Sequence, residues 1–251
     1  GQAYLEKGDL KSAKDLFRRV LGADPENVVA YARLASIFEE QQLLEEAIWH
    51  MERAFELSPT NPEIHKELLR LYGEVNGKPH ARLKLTPGAL ARLYVQEGLL
   101  AQAIQEFRAI VASAPSRFDA RIGLAETLWH LGRIREAAEI AQSVLDPLPY
   151  CLQAHLILGT VWKESGLPEG ETHLQHAQAL DPTNEIAQRL LGARSPLQPA
   201  EIPIPRYIEG TPPPSPAAPT EPTKPAKTEV AAPAPMAETV PKPESAPESA
   251  P

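Results

Sequence analysis

The chain has 251 residues, 25 Lys and Arg against 33 Asp and Glu, and a formal net charge of −8. That balance excludes the basic stripe on which general nucleic-acid binding rests, and a single cysteine, Cys151, excludes an internal disulfide. No run approaches the roughly 18 apolar residues of a membrane span, and nothing points to an oxidising compartment, so a cytoplasmic location is expected. Composition shifts near residue 192: residues 193–251 hold 17 of the 27 prolines and few large apolar side chains. A segment of that kind cannot bury enough surface to order itself, so residues 193–251 are expected to be a disordered Pro/Ala-rich tail behind a folded region of residues 1–192.

Residues 1–27 read as the trailing part of a helical repeat through Tyr4, Gly8, Ala13, Phe17 and Pro25. The chain opens at Gly1, without Met and in mid-repeat, so a preceding segment is expected. Residues 28–61 form a full unit through Tyr31, Leu34, Ala35, Phe38, Ala47, Met51, Ala54 and Pro59, with Gln42 where a turn glycine would stand. Residues 62–75 read as a first helix with Leu68, Leu69 and Tyr72 inward. Asn76-Gly77 and Lys78-Pro79 then signal turns, and a first helix begins again at 87. Residues 62–85 are therefore a degenerate unit whose second helix is cut to about a turn or lost. Leu83 and Leu85 would fill the gap, or the stretch is a hinge or ligand-contacting loop carrying the basic cluster Lys78, His80, Arg82, Lys84 and Arg92.

The rhythm then returns. Units 86–117, 118–151 and 152–184 carry Tyr94, Leu128 and Trp162, and Gly98, Gly132 and Gly166, each 34 residues apart. Pro115, Pro149 and Pro182 close them, and residues 185–192 read as a capping helix. A fixed period of this length marks a helical repeat array. Small residues at matched positions allow close helix approach, glycines accept a positive φ at the turn, and prolines stop the second helix. Tyr4, Phe38, Tyr94 and Trp162 are expected to fill the space between the helices of one unit.

These residues resemble the tetratricopeptide repeat, a helix–turn–helix unit. The resemblance implies an all-α, right-handed superhelical array of about five repeats, one of them degenerate. It also implies that first helices line the concave surface. Carried over residue by residue, the inward positions include Lys66 and Arg70, then Arg92, then Asp119, Glu126, Trp129 and His130, and finally Gln153 and Lys163. The candidate peptide-binding groove is Lys66, Arg70, Arg92, Glu126, Trp129, His130 and Lys163. Trp129 is expected to be an exposed anchor of the type that dominates interfaces. Lys66 and Arg70, four apart on one helix, could hold a carboxylate, but the inner-face asparagines of the chaperone-binding members are not reproduced.

Catalytic motifs are absent: there is no phosphate-cradling glycine loop, nucleophile elbow or paired-cysteine metal motif. His173 and His176 could share a helix face with Glu169, without an evident third ligand, and an exposed polar face is expected there. Cys151 is expected to be buried in an inter-repeat turn. No enzyme activity, cofactor or metal is expected. The expected function is a scaffold holding a protein or peptide segment in the groove. The alternatives are a self-associating structural array and an accessory domain of a larger enzyme or a secretion or assembly complex. The stretch 202–208, with three isoleucines and a tyrosine, is expected to dock on the last repeats or to serve as a short linear motif.

Overall fold

The computed structural model describes residues 1–78 and 82–201. His80 and the 202–208 stretch lie outside the described residues, as do residues 209–251. The described residues form twelve α-helices and a closing 3-10 turn. The first four are α1 (Gln2–Glu6), α2 (Leu10–Ala23), α3 (Val28–Glu40) and α4 (Leu44–Leu57). Then come α5 (Pro62–Asn76), α6 (Pro87–Gln96), α7 (Leu100–Ser113) and α8 (Phe118–His130). The last are α9 (Ile134–Leu145), α10 (Leu152–Glu164), α11 (Glu169–Leu180) and α12 (Glu185–Leu191), with the 3-10 turn at Gly192–Arg194.

Helix ends follow the local chemistry. α2, α4, α7 and α11 each stop two residues before Pro25, Pro59, Pro115 and Pro182, because the residue before a proline is driven out of the helical region. Asn27 and Asn61 then start the next helices. Asn27 Oδ1 accepts from the Ala30 N–H at 2.9 Å, and Asn61 Oδ1 from the Glu63 N–H at 3.0 Å, which satisfies donors that a helix start leaves unpaired. Pro62 and Pro87 occupy first-turn positions, where the missing N–H costs nothing.

Sequential hairpins pack together: α3 on α4, α6 on α7, α8 on α9 and α10 on α11, each hairpin also meeting the next. Ala13, Ala47, Ala103 and Ala137 are fully buried at the matched small positions. In the last hairpin the backbones come closer still. A Cβ on Gly170 would lie 2.5 Å from the Lys163 nitrogen, and one on Gly159 would meet the Leu174 side chain at 2.8 Å.

In the stretch expected to be degenerate, Gly77 ends α5 in the left-handed region at φ +66, and among the described residues no helix follows until α6. α4 consequently packs against both α5 and α6. Leu83 does fill the gap, packing beside Phe55, Leu68 and Tyr72. Leu85 does not: it is exposed. The apolar core divides at α6, one cluster running from Ala13 to Ala89 and the other from Ala91 to Leu191.

Two other expectations change. Tyr4 is 42% exposed, since short α1 gives it no cover, whereas Phe38 is buried. The chain also remains attached beyond residue 192. Asn184 Nδ2 donates to the Gln198 carbonyl at 2.7 Å, the Ala200 N–H donates to the Thr183 carbonyl at 3.1 Å, and Leu197 packs on the core.

Candidate functional site

The inner faces of α6, α8 and α10 present Arg92, Asp119, Glu126 and Gln153. These residues meet around a turn from the other end of the array, Asp24 to Asn27 between α2 and α3. Arg92 forms an ion pair with Glu26 and donates to the Asp119 carbonyl at 3.2 Å. Gln153 Nε2 donates to Asp24 Oδ1 at 2.7 Å across 129 residues of sequence. Gln153 is fully buried and Asp119 nearly so. The guanidinium of Arg92 lies over the Phe107 ring, 5.0 Å from its centroid.

The turn is stiffened before it reaches this face. Asp24 ends α2, accepts from the Glu26 N–H at 3.2 Å and from Asn27 Nδ2 at 3.1 Å. With Asn27 capping α3, both flanks are pinned and the two carboxylates, two residues apart, project toward α6 and α10. A second bridge supports the same closure. Arg117 grips Asp119 bidentately at 2.8 and 2.7 Å and also pairs with Glu56 at the end of α4. Gly88 makes room for that carboxylate: a Cβ there would lie 2.5 Å from Glu56 Oε2.

Glu126 sits beside this junction. Its Oε1 is buried without a hydrogen-bond partner. Burial, with the nearby negative charge of Glu26 adding to it, pushes its carboxyl up to about 8, against the pull of Arg92 and Arg189. The shift favours the neutral acid, which relieves the cost of an unpaired buried charge.

The other expected site residues lie elsewhere. Arg70 is shared by Glu39 at 2.6 Å, Glu67 at 2.5 Å and Glu74 at 3.1 Å. Three carboxylates already occupy its donors, so the expected carboxylate grip with exposed Lys66 is corrected. Trp129 is 5% exposed and is not the expected open anchor. The Arg194 guanidinium covers its ring at 4.6 Å and is held in turn by Glu164 at 2.6 Å. The capping segment thus closes the last part of the inner face over Trp129, while His130 beside it stays exposed. Lys163 is exposed and pairs with Glu171 at 3.3 Å.

Sequence reasoning missed Asp24, Glu26, Glu56 and Arg117. The available signal was charge at positions that local packing does not need: two acids flanking Pro25 and an arginine just before α8. Matching them to partners 60 or more residues away needs the curvature of the array.

His173 and His176 are not simply a polar face. His155 Nε2 donates to the Pro149 carbonyl at 2.9 Å, so its Nδ1 accepts from His173 Nδ1 at 2.8 Å. His176 meets the His155 ring edge-on. Among the described residues no three His, Cys, Asp or Glu side chains converge as metal ligands do. Cys151 is buried, and burial pushes its thiol up to about 12, far from a reactive thiolate.

Two tetratricopeptide-repeat family models match the sequence, one over residues 4–69 and the other over residues 89–150, just over half of the chain between them. The chain belongs to the tetratricopeptide repeat family. The stretch between the two matches is the C-terminal part of α5 and the connection that follows it, where the described residues hold no second helix. Among solved structures, MamA is 19% identical over 74% of this chain and 95% of its own, with a TM-score of 0.31. TTC0263, a thermophilic TPR protein in Thermus thermophilus, is 21% identical over 66% of this chain and 80% of its own, TM-score 0.35. YrrB, a TPR protein with an unusual peptide-binding site, is 17% identical over 69% of this chain and 96% of its own, TM-score 0.37. No curated protein sequence matches the chain significantly. No described helix is long and apolar enough to cross a membrane.

Proposed function

We propose that this tetratricopeptide-repeat protein is a non-catalytic scaffold that binds a protein or peptide segment on the inner faces of α6, α8 and α10. One observation carries the reading. That face already holds a stretch of polypeptide, the Asp24–Asn27 turn, through the side chains Arg92 and Gln153. A surface that recognises chain by charge-assisted side-chain bonds and excludes water around them has what peptide binding requires. Trp129 is covered by Arg194, and Arg70 is engaged by α3 and its own helix α5, whereas Arg92 and Gln153 hold a turn from a distant repeat, so this reading assigns binding to them, with Glu126 beside them.

The test is an array of immobilised random dodecapeptides probed with the full chain and with an Arg92→Ala, Gln153→Ala variant. The reading expects a set of retained peptides that the double variant loses. Equal retention by both chains removes this face from the function.

Self-association is a second reading, favoured by the apolar cleft between α2 and the turn before α10. Val20, Tyr150 and Leu180 line it and are exposed. Sedimentation of the full chain and of a Tyr150→Asp variant tests it: a dimer that the variant abolishes supports it, and a monomer at 50 µM, roughly, excludes it.

A further inference from the structure

We propose that the inner face of α6, α8 and α10 is a receptor for acidic peptides carrying two carboxylates two residues apart, and that the chain's own Asp24-Pro25-Glu26 turn is its resident, displaceable ligand. The inference rests on the groove reading above and adds both the chemical class of the partner and a latch that governs access.

The receptor side is assembled from three helices in register. Arg92 receives the Glu26 carboxylate, and Gln153 donates to Asp24. Neither carboxylate belongs to the apolar core of the first repeat, Ala13, Phe17 and the residues of α3, although Asp24 also accepts from the Glu26 N–H and Asn27 Nδ2. The turn reaches across the array instead, its two carboxylates bound by Gln153 and Arg92 and the buried Pro25 between them facing a pocket shared with Phe118 and Leu148. Polar contacts can be exchanged for those of a competitor with the same groups, whereas an apolar interlock could not. Glu126 lies against the receptor with Oε1 unpartnered, so a hydrogen-bond donor on the peptide at that point finds an acceptor.

Closure is held at two points, Glu26 on Arg92 and Glu56 on Arg117, and the apolar core is divided at α6. Ligand entry therefore requires the first repeats to move as one body away from the inner face, with the break in the core between Ala89 and Ala91 as the pivot. An intramolecular ligand acts at high effective concentration, so an unmodified chain binds a competitor weakly and a chain with a weakened latch binds it well.

The experiment uses the full chain and a fluorescein-labelled heptapeptide of residues 22–28, GlyAlaAspProGluAsnVal, read by fluorescence anisotropy. The Asp24→Asn, Glu26→Gln variant is expected to bind at least tenfold tighter than wild type. Adding Arg92→Met should erase the gain, and the same peptide with Asn and Gln in place of Asp and Glu should bind at least tenfold more weakly. A latch variant that is folded by circular dichroism and binds no tighter than wild type overturns the proposal. Should that variant not fold, hydrogen exchange on wild type decides. Millimolar peptide is expected to accelerate exchange at the amides of Glu26 and Asn27, and unchanged exchange overturns the latch. Equal binding of the acidic and neutral peptides to the latch variant refutes the acidic class and leaves the groove reading standing. No binding of either, with an unresponsive peptide array, refutes both.

Discussion

Gln42 occupies the turn between α3 and α4 with φ +61, in the region where the equivalent turns hold Gly8, Gly98, Gly132 and Gly166. An L-residue there carries a steric penalty of roughly 1–2 kcal/mol, partly offset because glycine loses more entropy on folding. Gln42→Gly should therefore stabilise the protein by about 0.5–1 kcal/mol, measured as a shift of the urea midpoint at constant slope; destabilisation would show that the Gln42 side chain contributes more than its backbone costs. Glu126 makes a second residue-scale prediction. The unfolded carboxyl ionises above about 4.5 and the folded one only above about 8. Between those values the folded chain binds more protons, so stability falls as pH rises, by at most about 1.4 kcal/mol per unit. Burial also raises the neighbouring Glu26 and lowers His50, His130, His155 and His173, so the contribution of Glu126 is read as the difference between wild type and Glu126→Gln. Urea titrations of wild type should show that decline, and Glu126→Gln should lessen it.

At the scale of elements, the last hairpin brings two helix backbones into direct contact. α11 approaches α10 through Gly170 and Gly159, and the three histidines and Trp162 lie on the same interface. Gly170→Ala drives a methyl into the Lys163 backbone, which cannot yield as a side-chain tip would. A loss of about 1–3 kcal/mol is expected, read by thermal unfolding, together with faster hydrogen exchange in α10. A variant as stable as wild type would mean that the hairpin opens without cost. The helix starts are a milder case. Asn61→Ala removes the acceptor for Glu63 and Ile64 N–H groups and should cost about 1 kcal/mol, with the loss confined to α5.

At the scale of the array, the chain curves until its first inter-repeat turn meets the α6–α7 and α10–α11 hairpins. A buried ion pair adds little net stability against an apolar replacement, but removing one partner costs about 3–5 kcal/mol because the other charge is left unpaired. Arg92→Ala is therefore expected to lower stability by several times the loss at an exposed pair, for which Arg108→Ala, removing the exposed bridge to Glu136, provides the comparison at about 0–1 kcal/mol. Equal losses in chemical denaturation would mean that the closure carries no more than a surface contact. Much of the architecture was legible beforehand. The 34-residue recurrence of Gly98, Gly132 and Gly166, the prolines after second helices and the capping asparagines act within one or two turns of chain, so the sequence alone determined the repeat type and the helix ends that precede the prolines. The candidate site was legible only by half. Arg92, Asp119, Glu126 and Gln153 could be assigned inward from repeat position, but their partners Asp24 and Glu26 could not, nor the shielding of Trp129 by Arg194. Those pairings depend on the small rotation between successive hairpins, summed along the array and altered where α5 runs on to α6 with no described helix between them. Local chemistry writes each hairpin into the sequence, whereas the identity of what fills the inner face is a property of the accumulated curvature, which only the tertiary structure decided.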